Sequence, residues 1–518
     1  MTDPLLASYE SVPYQSRPIA LADPDSIAAN AILHGVTPPP PDRARVLELG
    51  CASGGNLLSM AFALPKSRFV GIDLSPSQIA VGQYVISEMG LQNVTLEAKS
   101  LEDIGADLGK FDYIICHGVY SWVPPNIQEA ILEVCSTRLA PHGIAYVSYN
   151  TYPGWRRREM LRDMLLFHDD HALSPAARVA RAREFANFLR AADPSDDSVH
   201  ARMLRDEVDQ LQKQTDHHIF HEQLEPYNNP VYFGEFARRA AAHGLRYLAE
   251  AKPTAHTPAK GRVEQAFESA QDIVQMEQYV DFVLGRTFRR TLLCHDGIQV
   301  ASGPLAEAIP QLMIRSRAVS VAPAEADAAR GPGVEAFRTP NGVTMTTNNP
   351  LVIAVLRVLG AAAPVVMSFE QLQQTVCAHL SGAADEATHR LGDDHAAVVS
   401  VVLQCASSAL VEFRTLPSKF VATAGKRPKA SAFARWQALH FDSITSLGHW
   451  PVEISGMERF LLPNLDGTND RAQLIRLTEH AFTTGDLRLG DVAPTREQIA
   501  DVINDVLARL GRSAVLVA

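Results

Sequence analysis

Residues 46–58 read VLELGCASGGNLL, an apolar run, a glycine-rich turn and a helical start in immediate succession. A strand–turn–helix unit of this kind points to a parallel sheet covered by helices, since a strand buried on both faces is apolar throughout and needs a crossover to reach its parallel neighbour. Gly50 and Gly54 permit backbone conformations and a close approach that a Cβ would obstruct. The helix that follows opens with N–H groups lacking partners inside the helix. The spacing is E-x-G-x-x-x-G, beginning at Glu48, which is neither a dinucleotide fingerprint nor a P-loop. A phosphate need not be what the loop holds.

The same rhythm fills the next hundred residues. It predicts strands at 45–49, 68–72, 94–98, 111–116 and 143–149, with helices at 56–64, 76–90 and 126–139. The second strand ends FVGIDLSPSQI, placing Asp73 where a doubly wound sheet keeps an acid for ribose hydroxyls. The segment AKSLEDI after the third strand offers Glu102, or alternatively Asp103, to an adenine amino group. From 155 to 224 the pattern is helical only. A helix over 229–244, a strand over 245–251, a helix over 262–284 and a strand over 290–294 then predict that the sheet continues past an inserted helical cap. An Ala- and Pro-rich stretch at 322–332 reads as a linker, and 345–415 reads as helices followed by the extended LVEFRTLP, a winged-helix-like order. A last helical segment runs from 471 to 510.

Composition narrows the function classes. With 47 Lys+Arg against 58 Asp+Glu the formal charge is −11, which disfavours a nucleic-acid binder, although Lys419, Lys426, Arg427 and Lys429 form a short basic loop. The six cysteines are far apart and form no CxxC pair, so a disulfide framework or Cys-rich zinc site is not expected. Neither a signal peptide nor a membrane-spanning stretch is read, and a cytoplasmic location is expected.

Taken together, the loop, Asp73 and Glu102 resemble the class I S-adenosylmethionine-dependent methyltransferases. That resemblance implies a Rossmann-like α/β sheet and S-adenosylmethionine as cofactor. It implies cofactor contacts at Glu48, Gly50, Ala52, Gly54, Asn56, Asp73, Leu74, Gln78, Leu101, Glu102, His117, Gly118 and Trp122. Five further segments (YESVPY, FDYIICHGVYSWVP, YVSYNTYPGW, HEQLEPYNNPVYFGEF and FVLGRTFRRTLL) resemble bacterial members that carry a methyltransferase regulatory domain, among them rickettsial lysine methyltransferases of outer-membrane proteins. LLPNLDGTNDRAQL resembles the C-terminal domain of those enzymes. A Thr-His-Pro expected in the arm of many relatives is replaced here by LADPDSIA. The implied organisation is an N-terminal arm (1–44), a cofactor-binding core (45–154), an inserted cap (155–225), the rest of the methyltransferase domain (226–300), a winged-helix-like middle region (301–420) and a C-terminal helical domain (421–518).

Lysine methylation needs a neutral amine, and deprotonating a lysine at pH 7 costs about 4–5 kcal/mol. A water-poor aromatic channel lowers that cost. Such aromatics cluster after the fourth and fifth strands. Asn150 is therefore expected to orient the amine, with Tyr120 and Tyr152 forming the channel. Tyr9, Tyr14, Tyr149, Trp155 and Glu222 are read as substrate contacts. Rival readings remain: Trp122 and Trp155 as packing residues, and the arm around Tyr9 and Tyr14 as either a flap or a packed segment. His217, His218, His221 and Glu222 lack the order of a zinc motif, and no metal is expected. Arg286, Arg289 and Arg290 read as a solvated charge cluster or a partner for the acidic cap, and Cys51 as packing. The lead expectation is a methyltransferase acting on protein lysines, with an outer-membrane protein as one candidate and a homodimer allowed. A small-molecule methyltransferase and a non-catalytic binding protein are the alternatives.

Overall fold

The computed structural model describes all residues except 1–3, 15, 193–194, 253–269, 323–332, 382–390 and 489–493. A central sheet of seven strands comprises β1 (Arg45–Leu49), β2 (Arg68–Asp73), β3 (Val94–Ala98), β4 (Phe111–Cys116), β5 (Leu139–Asn150), β6 (Leu245–Glu250) and β7 (Phe288–His295). Their order is β3-β2-β1-β4-β5-β7-β6, and β7 runs antiparallel to both neighbours. The order reverses between β1 and β4, where an open parallel sheet leaves a crevice at its carboxyl edge.

Helices over the sheet are bounded by local chemistry. Helices α1 (Pro4–Ser11) and α2 (Pro24–Leu33) belong to the arm; α3 (Gly55–Ala63) follows the glycine loop, and α4 (Pro76–Met89) and α5 (Pro125–Arg138) follow β2 and β4. Ser75 caps α4 by accepting from the Gln78 N–H, Pro76 opens its first turn, and Gly90 ends it in the left-handed region. Core residues line both faces of the sheet, among them Val46, Tyr113 and Ile144 on one side and Leu47, Ile114 and Ala145 on the other. This alternation along each strand is what the two-sided burial of a parallel sheet requires.

The chain leaves the sheet after β5 and returns at Val231, which bridges Thr151 in parallel. Between them lies the cap: α6 (Trp155–His168), α7 (Pro175–Ala191), α8 (Val199–Gln212) and the short α9 (Asp216–Ile219), which runs into a π-turn at Phe220–Leu224. Leu161, Leu165, Val179, Ala186, Val208 and Phe220 give it a core of its own. The next helix, α10 (Phe233–Ala242), starts later than expected because residues before it pair with Thr151 and Ser121. Of the helix expected at 262–284, the portion 262–269 lies outside the described residues and α11 (Ile273–Leu284) is seen. The expected linker at 322–332 also falls almost wholly outside them.

In the middle region, helices Pro350–Ala362, Phe369–Leu380 and His395–Ser407 pack on a small sheet ordered Met367–Ser368, Met313–Arg315, Glu412–Arg414. Helix α2 joins that core through Ala29 and Leu33. The last region has helices Ala432–His440, Gly456–Leu461, Arg471–Thr484 and Arg496–Arg512, with two short antiparallel ladders.

Candidate active site

The glycine loop is held open by its neighbours. Gly50 has φ +72°, and a Cβ there would strike the Val119 side chain. The Ala52 N–H donates to Asp73 Oδ2 at 2.7 Å and the Ser75 N–H donates to Asp73 Oδ1 at 2.9 Å. Asp73 thus ties the loop to the start of α4. Burial raises its pKa, while the amides of Ser75 and Ala52 oppose the rise.

A cavity of about 520 Å³ opens at this carboxyl edge. Gly50, Ala52, Asp73, Leu74, Gln78, Leu101, Glu102, His117, Gly118 and Trp122 all line it. Glu102 lies in a short turn over Leu101–Asp103 and accepts from Asn126 Nδ2 at 2.8 Å, whereas Asp103 is not among the lining residues. His117 is neutral, its pKa lowered to about 3 by burial and by Arg290, and its Nδ1 lies 2.8 Å from the Tyr146 hydroxyl. Glu48, Gly54 and Asn56 stand behind the loop, outside the cavity lining. Asn56 Nδ2 donates to Glu48 Oε1 at 2.7 Å, and burial pushes the Glu48 carboxyl up to about 8. Gly54, at φ +77°, is the N-cap position of α3.

The roof comes from the arm and the end of the cap. Tyr9, Tyr14, His221, Glu222, Glu225 and Tyr227 face the same cavity. Tyr9 stacks on His221, and Tyr14 meets His217 edge-on. His221 Nδ1 lies 3.0 Å from Glu225 Oε1, while His221 Nε2 and His217 Nε2 each lie 3.0 Å from a backbone oxygen of the arm, at Val12 and Pro13 respectively. Burial pushes the Glu222 carboxyl up to about 7, against the pull of Arg158 and Arg162.

The residues of the expected aromatic channel at the strand ends do not line this cavity. Tyr120 and Tyr149 are fully buried against Phe236 of α10, with Tyr149 stacked on it at 4.1 Å. Asn150 is buried, donating from its backbone to Ser121 Oγ and from Nδ2 to Asn228 Oδ1 at 3.0 Å. The Tyr152 hydroxyl donates to Glu159, and its ring lies under Arg156 at 3.7 Å. Trp155 packs edge-on against Trp122. None of these five lines the cavity, although Trp155 touches Trp122, which does. The cause is the cover: α10 and the cap seal the end of β5, and arm and π-turn take over the aromatic supply.

A second correction concerns the arginines. Arg289 is fully buried, bonded to Asp281 and Glu277 of α11 and to Glu250 of β6, with its guanidinium over the Phe233 ring. Its partners belong to the sheet's own cover and not to the cap. Arg290 and Phe288 line the cavity. Sequence reasoning did not place them at this cleft, nor His221, Glu225 and Tyr227: FVLGRTFRRTLL was read only as a family-like segment, Arg290 as part of a solvated charge cluster, and the histidine cluster first as a metal pattern. Among the described residues no group of His, Cys, Asp or Glu could hold a metal ion, and no helix is long and apolar enough to cross a membrane.

The strand order, the reversed crevice and the Asp73 clamp define a class I methyltransferase fold. Family models agree in three places: a methyltransferase domain matches residues 46–143, a predicted methyltransferase regulatory domain 215–295, and a PKMT C-terminal winged helix domain 426–515. An uncharacterized protein of Rickettsia prowazekii is 33% identical over 505 residues, covering 95% of this chain and 89% of the relative. A second uncharacterized protein of that organism is 37% identical over 241 residues, covering 46% of this chain and 96% of its own. The structure of PKMT2 from Rickettsia typhi superposes with a TM-score of 0.86 at 29% identity, covering 98% of this chain and 100% of the other, and it has also been solved in complex with AdoHcy. The chain belongs to the S-adenosylmethionine-dependent methyltransferases that carry a methyltransferase regulatory domain and a PKMT-type C-terminal winged helix. The winged helix falls in a segment that sequence periodicity shows only as helices, because its strands are two or three residues long.

Proposed function

We propose that this enzyme transfers methyl groups to lysine side chains of protein. One observation carries the reading: a single cavity has Asp73 and Glu102 on its floor and Glu222, Tyr9, Tyr14 and Tyr227 in its roof. The floor fits S-adenosylmethionine. In this reading Asp73 would accept from the ribose hydroxyls and Glu102 from the adenine amine, supported by their place on the cavity wall beside Gly50, where a Cβ would strike Val119. Behind the loop, Glu48 Oε2 is a buried oxygen without a hydrogen-bond partner among the described residues.

When bound, the cofactor supplies a sulfonium methyl group, which passes to the acceptor nitrogen as the carbon–sulfur bond breaks. The chain's own residues prepare the nitrogen. Glu222 receives a proton from the incoming ammonium, a transfer suited to a carboxyl held at about 7. Tyr9, Tyr14 and Trp122 exclude water and present ring faces to the cation, which favours both the amine's entry and the methylated product.

Two experiments test this reading. Asp73→Asn should weaken S-adenosylhomocysteine binding about a hundredfold by calorimetry, since it removes a charged acceptor. Mass spectrometry after incubation with S-adenosylmethionine should show methyl additions on lysine peptides of an outer-membrane protein pool, consistent with a cytoplasmic enzyme acting before export. The roof over the cavity favours a second reading, a low-mass acceptor. Methylation confined to a metabolite extract would replace the first reading with it.

A further inference from the structure

At the base of the glycine loop a side-chain bond joins its two ends, from Asn56 Nδ2 to Glu48 Oε1 at 2.7 Å. Asn56 Oδ1 in turn receives two donors from far along the chain. The Ile19 N–H of the arm donates at 2.9 Å, and His449 Nε2 of the C-terminal region lies at 2.8 Å. Because the Asn56 amide nitrogen serves Glu48, its oxygen is the acceptor, so His449 Nε2 must carry the proton. The other ring nitrogen, Nδ1, lies 3.2 Å from Ser59 Oγ on α3. The ring of a buried histidine therefore reaches Asn56 by a hydrogen bond and lies beside Ser59 of the same helix, across nearly 400 positions of sequence.

The turn that delivers this ring is specially built. His449 itself has φ +63°, a conformation that L side chains avoid and that persists only where the surroundings over-determine it. Trp450 folds back over Gly448, where any Cβ would collide with the indole. Arg315 and Arg317 of the middle region lie against the Trp450 ring at 4.8 and 4.2 Å. Burial, with Arg414 and Arg315 nearby, lowers the His449 pKa to about 3, which keeps the ring neutral as the bonding pattern requires.

We propose that His449 is a positioning residue for the cofactor: the C-terminal winged-helix region completes the cofactor site by holding Asn56, which holds Glu48 and so fixes the two ends of the glycine loop. This rests on the cofactor placement above and not on the acceptor. The C-terminal region is then part of the cofactor-binding machinery and not only a neighbour of it.

The test uses the full-length chain and S-adenosylhomocysteine as probe. A glutamine amide nitrogen occupies the place of histidine Nε2, whereas that of asparagine occupies the place of Nδ1. His449→Gln should therefore retain affinity, and His449→Asn should weaken it about tenfold, the worth of one buried hydrogen bond. His449→Gly, which relieves the left-handed backbone, should weaken binding similarly and recover in millimolar imidazole. KM for S-adenosylmethionine should rise in His449→Asn and His449→Gly with kcat little changed. In an Asn56→Ala background the His449 substitutions should have no further effect. Lys419→Ala removes a different contact across the same interface, to the Ala63 carbonyl at the end of α3, and should leave affinity unchanged. Equal affinities for His449→Asn and His449→Gln, or equal weakening by Lys419→Ala, would overturn the proposal. If His449→Gly does not fold, the Asn and Gln pair decides. Because only cofactor binding is read, failure here is separable from failure of the lysine assignment.

Discussion

Glu222 and Glu48 are both carboxyls held above their ordinary range by burial, and they have different consequences. Glu222 faces the cavity, so kcat/KM should rise as pH passes about 7 and the carboxyl ionises. Glu222→Gln should lose that limb and about a hundredfold or more in kcat, measured as a pH–rate profile. Glu48 is sealed behind the loop, so its effect is on stability. Below 4.5 it is protonated in both folded and unfolded chains; between 4.5 and about 8 only the folded chain keeps the proton. The folded state then binds more protons, and stability is lost as pH rises through that window by up to about 1.4 kcal/mol per pH unit. Glu48→Gln should flatten the slope, seen by comparing urea unfolding of both proteins at pH 5 and pH 8. That the glycine loop, Asp73 and Glu102 share one cavity was legible from sequence because each follows a strand end in fixed order. That Asn150, Tyr120 and Tyr152 lie outside this cavity was not legible, because strand-end position does not reveal what a distant segment will cover, as α10 covers Tyr120 and Asn228 meets Asn150.

At the level of elements, the arm and α4 depend on each other. Glu10 of α1 accepts from Ser75 Oγ and from the Ser77 N–H at the start of α4, where a negative charge is favoured. Gln78 Nε2 of α4 donates back to the Tyr14 carbonyl at 3.0 Å. Glu10→Ala should loosen this hinge and speed S-adenosylhomocysteine release about two- to fivefold in stopped-flow, the scale of one charge at a helix start. The single-turnover methyl transfer rate should stay the same. The strands of the central sheet could be read from their continuous apolar runs. The short strands of the C-terminal region could not, since two or three residues show no alternation. Some of the arm's contacts were also invisible, being made through backbone oxygens that any residue supplies.

Across the whole molecule, arm and middle region meet at a charged junction. Arg414 pairs with Asp23 at 3.0 Å, and the neighbouring Asp25 accepts from the backbone N–H groups of Thr415 and Leu416. Arg414→Met should cost about 1–3 kcal/mol, because it leaves the half-buried Asp23 without its cation while Glu412 keeps Arg315 and Arg317, and calorimetry should show a lowered transition. The cap obeys a different logic. The chain departs at Thr151 and comes back at Val231, and those two residues lie bridged side by side. Everything between them is, to the sheet, one closed loop, and lengthening such a loop is nearly free: each doubling adds only about 0.6 kcal/mol. The cap can therefore be rewritten, extended or replaced during descent while the strands beneath it keep their register. That makes it a cassette, in which new acceptor preferences can arise in one lineage without reinventing the donor half.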